Sequence, residues 1–180
     1  MSTDLRNTKT CRETKVIQTH RVLPFDTNPH NTLFGGKLMS IIDNTASISA
    51  TRHSRSQVVT ASMDNLNFIH PIAQDNSVCV ETYVSGVGKT SIEVFAKVMG
   101  ENLLTGERYL AATSFITFVA LPTQGETVLV PSIIPETKEE IFVCSAYQER
   151  RNNRLTQSKF NEEFRQNLIS KAPWISEDFK

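Results

Sequence analysis

The chain has 180 residues, 39% of them hydrophobic, and is therefore long enough to bury one sizeable core. Its 19 basic and 19 acidic side chains balance, which argues against nucleic acid or an anionic membrane as a partner, so an anionic ligand would need a local cluster. The three cysteines are far apart and no apolar run reaches membrane-spanning length, so we expect a soluble cytoplasmic protein without disulfides, metal or stable membrane association.

The first part of the chain predicts a tail, a strand and a loop. Residues 1–13 are polar throughout, unlike a signal peptide, and we expect them to form a mobile tail. The β-branched run Val16–Leu23 predicts a strand that Pro24 ends. The run Phe25–Thr32 is rich in turn formers and side-chain hydrogen bonders, which indicates an ordered loop.

A loop that closes on two glycines and opens into a helix is the centre of the sequence. Gly35 and Gly36 begin this helix, which we expect to run to about Arg52 because its apolar residues have helical spacing. Asp43 lies two turns into the helix, where a desolvated carboxylate is unfavourable unless it is paired with another group or has a functional role. The small and β-branched residues that follow favour close packing against a sheet.

Strand-like segments with short connections follow the helix. They are Val58–Met63 leading to Leu66–His70, then Val78–Val84, Ser91–Val98 and Tyr109–Val119. One strand, one long helix and four consecutive strands predict an α+β fold in which an antiparallel sheet curls around the helix.

The composition changes after Leu121. Prolines and a glycine mark a linker, and the acidic run Glu136–Glu140 predicts the start of a helical region that continues to about Ser170. We therefore divide the chain into a tail (1–13), a main domain (14–121) and a linker with a C-terminal helical extension (122–180).

Several familiar chemistries are excluded by spacing. Gly88-Lys89-Thr90 ends like a phosphate-binding loop, but Tyr83 stands where the first glycine of that motif belongs. The chain has no G-x-S-x-G nucleophile motif and no dinucleotide fingerprint, and its histidines lack metal-ligand spacing.

The run 26–28, followed by 34–39 and Asp43, resembles the hotdog-fold acyl-CoA thioesterases, in the branch of small bacterial and brain acyl-CoA hydrolases. The match covers residues 14–121 and includes Val58–Ser62, Asn67-Phe68, Gly88–Glu93 and Leu104–Tyr109. The order of these motifs along the chain identifies this family more specifically than any single motif does.

This resemblance implies a hotdog fold and hydrolysis of fatty acyl-CoA to a free fatty acid and CoA, with no cofactor. It implies that Asn28 and Asp43 are catalytic and face each other across a dimer interface, in a homo-oligomer with the dimer as its minimal unit and a trimer of dimers as the expected assembly. The N–H groups at the tip formed by Gly36 would stabilise an oxyanion. Asp43 would act as a general base or attack directly, and Asn28 would orient water or the carbonyl.

Relatives also imply a surface for the CoA moiety. The matching residues form two groups: Ala61, Ser62 and Met63 in a strand, and Lys89, Thr90, Ser91 and Ile92 at a turn. Lys89 would supply a charge for a phosphate. Ordinary strand and hairpin residues are the alternative interpretation.

Alternatives remain open for the catalytic pair and for the function. Neighbouring hydroxyls could hold Asp43, and Asn28 could simply form a turn before Pro29. The same fold serves as an acyl-CoA-sensing module in regulators, although no helix-turn-helix precedes the first strand. Hydratase chemistry would need an Asp and His pair, and the surroundings of His30 do not match that pattern.

Overall fold

The computed structural model describes residues 8–122 and 126–168. Its elements are β1 (Thr8–Thr10), α1 (Cys11–Thr14), β2 (Val16–Arg21), a 3-10 turn (Pro24–Asp26), α2 (Gly35–Ser54), β3 (Val58–Phe68), β4 (Ser77–Val87), β5 (Ser91–Glu101), β6 (Arg108–Ala120), β7 (Ser132–Ile134), α3 (Lys138–Ser145) and α4 (Tyr147–Gln166). The chain forms two compact units, of which the first ends at Cys144 and the second begins at Ser145.

Five strands form one antiparallel sheet in the order β2-β4-β5-β6-β3, with α2 packed on one face. The predicted α+β arrangement, a sheet wrapped around one long helix, is confirmed. The two segments predicted near residues 58–70 are one strand, β3, whose register against β6 shifts after Thr60 and again after Asp64. These irregularities bend β3 at the edge of the sheet.

The hydrophobic core lies between α2 and the sheet. The buried helix residues are apolar or small: Leu38, Ile41, Ile42, Thr45, Ala46, Ser49 and Ala50. They face alternate residues of the central strands, including Val80, Val94 and Ile116, which are fully buried. Small residues in the second half of α2 allow the close approach that the sequence predicted.

The predicted mobile tail is wrong for residues 8–13, whereas residues 1–7 lie outside the described residues. β1 pairs in parallel with β7, and Thr10 and Glu13 form a reciprocal capping box at the start of α1. Lys9 Nζ donates to the carbonyls of Arg52 and His53 at 2.8 and 2.7 Å, which satisfies the C-terminal end of α2. Residues 8–13 are ordered because β1 pairs with the distant strand β7. Local composition does not reveal this pairing.

His53 is fully buried beneath these N-terminal elements. Its Nε2 lies 2.8 Å from the Pro131 carbonyl oxygen, and its Nδ1 has no hydrogen-bond partner. Burial lowers the pKa of His53, although the bond to Pro131 opposes that effect. The neutral imidazole is therefore the form that the fold favours.

A second, smaller apolar cluster covers the other face of the sheet, where Tyr83 and Phe95 meet Cys11 and Val143. The predicted boundary at residue 121 therefore falls inside the first compact unit, which includes β7 and most of α3. Cys11 and Cys144, which are far apart in sequence, have their Sγ atoms 3.8 Å apart as thiols. The Cys144 contact and burial raise the pKa of Cys11 well above its ordinary range.

The second unit contains α4. This 20-residue helix confirms the predicted helical extension, and residues 169–180, where the prediction ended, lie outside the described residues. None of the described helices is both long and apolar enough to cross a membrane.

Candidate active site

The loop before α2 is ordered by its own hydrogen bonds, as predicted. The Asn28 N–H donates to the Thr32 carbonyl at 2.8 Å, and Asn31 has the positive φ of 58° that a tight loop requires. The Asn28 side-chain oxygen accepts from the backbone N–H of His30 at 2.9 Å and from Thr32. Asn28 is thus a turn former in this chain, and it remains half-buried at the edge of a cavity.

The tip of α2 has the open N-terminus that the two glycines predicted. Phe34 occupies the N-cap and makes no side-chain capping bond, and the first turn contains no acidic residue. The N–H groups at this end carry the positive end of the helix dipole, and the Asp26 carboxylate lies close by, 3.1 Å from Lys37 Nζ of the first turn. A Cβ on Gly36 would lie 2.5 Å from the Phe34 ring, so the glycine also accommodates that ring above the tip.

Asp43 lies on the side of α2 that faces β3. Thr60 Oγ1 donates to Asp43 Oδ1 at 2.8 Å, and the Asp43 side chain is half-buried rather than enclosed in the core. The expected partner for this carboxylate is therefore a hydroxyl on the edge strand. The sequence placed Thr60 in the matching motif but assigned it no role, because nothing local shows which strand the helix acid meets.

Within one chain, Asn28 lies beside the tip of α2, whereas Asp43 lies beside Thr60 of β3. Asn28 lines a cavity together with Gly35, and Asp43 does not line that cavity. Asp43 is seven positions after Gly36, which is about 10 Å along the helix axis. A general base must come within about 3 Å of the proton it removes, so Asp43 does not reach a carbonyl held at its own helix tip.

The residues predicted to bind CoA lie at one end of the sheet. Val59 and Ser91 both pair with Val119 of β6, so the two predicted groups lie about two strand spacings apart, close to 10 Å. The Lys89 side chain is exposed, and Thr90 and Ser91 are half-buried beside it. Ala61 is exposed, and Ser62 and Met63 are half-buried.

The Ile92 side chain is not exposed at this surface, so a CoA contact at Ile92 would have to come from its backbone. Ile92 is 0% exposed and belongs to the main hydrophobic core, because side chains alternate along β5 and this one points toward α2. Only its backbone remains close to the turn.

An open cavity that the sequence did not reveal lies next to this surface. Its volume is about 1010 Å³, and it is lined by the end of α2 and the start of β3, including Ser47, Thr51, Arg55 and Val59. Arg55 adopts the left-handed conformation, with φ of 55°, that ends α2. Arg55 and Lys89 are thus two exposed cations at this end of the sheet.

Among the described residues, no group of three or more His, Cys, Asp or Glu side chains could hold a metal ion.

Comparison with known proteins identifies the family. Residues 30–107 match the model of the thioesterase superfamily. An uncharacterised acyl-CoA thioester hydrolase of Bacillus subtilis is 54% identical over 167 residues, which cover 93% of this chain and 97% of that protein. The crystal structure of an acyl-CoA hydrolase from Bacillus cereus superimposes with a TM-score of 0.86 at 45% identity, over 91% of this chain and 99% of that one.

A hexameric acyl-CoA thioesterase solved in its apo form superimposes with a TM-score of 0.81 at 38% identity. The match covers 84% of this chain and 97% of that chain. The hotdog fold expected from the resemblance is therefore confirmed, and so is the expectation of a hydrolase. The chain belongs to the acyl-CoA thioester hydrolases of the thioesterase superfamily.

Proposed function

We propose that this acyl-CoA hydrolase converts fatty acyl-CoA to a free fatty acid and CoA at a site shared by two protomers. Asn28 and the helix tip of one protomer act together with Asp43 of the other. The observation that carries this proposal is the distance along α2 between the helix tip and Asp43 within one chain. A second copy of the chain can supply an Asp43 that reaches the tip.

The edge strand β3 supports a second copy as the partner. β3 has eleven residues and is the outermost strand of the sheet, with no further strand beside it among the described residues, so its outer edge can accept another strand. Val59 on β3 is apolar yet 46% exposed. The opposite edge, β2, has only six residues and carries exposed His20 and Arg21, which disfavour association there.

Two-fold symmetry explains how pairing through β3 would complete the site. If two β3 strands pair antiparallel about their midpoint at Met63, Phe68 of one protomer lies opposite the partner's Val58. The Phe68 end of β3 adjoins Gly35 and the cavity that Asn28 lines. The other end carries Thr60 and its bond to Asp43. Pairing would therefore bring the helix tip of each protomer toward Asp43 of its partner.

The chemistry follows from this arrangement. A thioester carbonyl at the α2 tip would receive hydrogen bonds from uncapped N–H groups at Gly36, which stabilise the developing oxyanion. The partner's Asp43 would accept a proton from water or attack the carbonyl to form a mixed anhydride. The thiolate of CoA is a good leaving group, so the site needs no strong general acid.

We also propose that CoA lies across the end of the sheet that bears Ala61, Ser62, Met63, Lys89, Thr90 and Ser91. The exposed Lys89 ammonium would contact a phosphate, and Arg55 at the adjoining cavity adds a second cation. These local charges are needed to attract the phosphates of CoA because the chain as a whole has no net charge.

The dimer is the smallest unit that this site requires, and we propose that three dimers assemble. A hexameric relative of the same fold supports that assembly.

Mixing inactive subunits tests the shared site. Asn28→Ala and Asp43→Ala variants should each lose most acyl-CoA hydrolysis. After dissociation and reassembly together, about a quarter of sites on random pairing would contain both native residues, and thiol release should recover accordingly. No recovery, despite subunit exchange proven by fluorescence transfer, would contradict the proposal.

A further inference from the structure

A small cavity lies against the tip of α2. Its volume is about 380 Å³, and its lining joins two kinds of group. Asn28 and Gly35 form the side where the thioester carbonyl is proposed to lie, whereas Leu33, Phe68 and Ile69 form an apolar wall. Few polar groups beside an apolar wall are typical of a small-molecule site.

The apolar wall is exposed in one protomer. Phe68 is 58% exposed and Ile69 is 44% exposed, although each side chain is largely hydrocarbon. The Phe68 ring lies 3.4 Å from the position that a Cβ on Gly35 would occupy, so it stands directly beside the helix tip. An apolar group delivered to this tip would cover these side chains and remove their surface from water.

The part of the cavity lining that contains His70 is held in place by hydrogen bonds. His70 Nδ1 lies 3.0 Å from the Leu110 carbonyl oxygen and donates to it. The Tyr109 hydroxyl donates to the Pro71 carbonyl at 3.2 Å, and the His70 and Tyr109 rings meet edge to face at 6.1 Å. His70 therefore forms a fixed end to the apolar wall.

We propose that this cavity is the subsite for the acyl chain, in which Phe68 binds the chain along its length and His70 limits that length. The inference rests on the proposed function, because the thioester carbonyl must lie at the α2 tip for the chain to enter here. The acyl group then extends from the tip into the cavity, while CoA extends toward the partner's β3. Since the volume is at the lower end for small-molecule pockets, short and medium chains are the favoured class.

A chain-length series tests the subsite. For the native protein, we expect kcat/KM to rise about fourfold for each added methylene, the value expected for burial of one CH₂, and to level off where the chain reaches His70. Straight-chain acyl-CoA substrates from acetyl to palmitoyl would be compared by release of the CoA thiol.

Three variants separate the roles of the two residues. Phe68→Ala should reduce the increment to about twofold per methylene while changing acetyl-CoA hydrolysis least, because that substrate has almost no chain to bind. Phe68→Leu restores an apolar wall and should recover most of the increment. His70→Ala opens the end of the cavity and should move the levelling-off point to longer chains.

Phe25→Ala is the matched control. Phe25 is 80% exposed and lines a different cavity, next to β2, so its removal should leave the chain-length profile unchanged. A folded Phe68→Ala variant with the native increment, or a folded His70→Ala variant with the native levelling-off point, would overturn the corresponding assignment. Failure of the shared-site proposal is recognised separately, since it would appear as no recovery of thiol release from any substrate when Asn28→Ala and Asp43→Ala subunits are mixed.

Discussion

The hydroxyl of Thr60 donates to the Asp43 carboxylate at 2.8 Å and so joins the central helix to the edge strand β3. This bond fixes the carboxylate rotamer and leaves the second carboxylate oxygen for another partner. The acid is held at the boundary of the protomer, half-buried, where a second chain can reach it. Its position explains how a helix packed on a sheet can present a carboxylate at the protomer surface.

Replacing Asp43 tests its chemical role. Asp43→Asn keeps the shape and can still accept from Thr60, but it cannot take a proton or form an anhydride. We expect kcat to fall by about 10²- to 10⁴-fold, with the melting temperature and oligomer size unchanged. Thiol release under saturating acyl-CoA measures the loss, and native activity in this variant would refute the assigned role.

Removing the Thr60 hydroxyl tests whether the bond positions the acid. Thr60→Val keeps the side-chain shape and should lower kcat about tenfold or more, because a hydrogen bond to a charged group is lost. Thr60→Ser retains the hydroxyl and should recover most activity, with little change in KM for either variant. Equal rates for the Val and Ser variants would show that the bond has no part in catalysis.

The edge of β3 should decide assembly. Val59→Glu would replace an apolar side chain with a charge at each end of the proposed contact, and burying an unpaired charge there opposes pairing. We expect light scattering to show loss of the dimer, together with loss of hydrolysis. Ile17→Glu on β2, where the native side chain is 57% exposed, is the matched control and should remain assembled.

Stability should decrease in mild acid because of His53. Burial lowers the pKa of His53 in the folded protein, with the Pro131 bond and Glu13 opposing this effect and Lys9 adding to it. The unfolded chain therefore binds the proton more readily, so this contribution is complete above the ordinary value of 6.5 and is lost as the pH falls toward the lower folded value.

Thermal unfolding between about pH 7.5 and pH 5 measures this dependence. His53→Gln can retain a donor to Pro131 but does not titrate, so its melting temperature should vary less with pH than that of the native protein. His20→Gln on the exposed edge strand is the control. If His53→Gln shows the native dependence on pH, another group is responsible.

Much of the architecture could be predicted from local sequence patterns. Apolar spacing and the glycine pair predicted a long helix from Gly35, and alternation predicted the strands that surround it, because helix and strand periods are properties of neighbouring residues. The order of the motifs also indicated the enzyme family. Asp43 could be singled out as a candidate functional residue because an acidic side chain on an apolar helix is unusual.

Only the tertiary structure decided which distant groups meet. The bond from Thr60 to Asp43, the pairing of β1 with β7 and the contact between Cys11 and Cys144 join segments that no local period relates. The structure also turned the Ile92 side chain into the core. Periodicity reports which face of an element is apolar, whereas the partner of that face depends on how the whole chain closes its core.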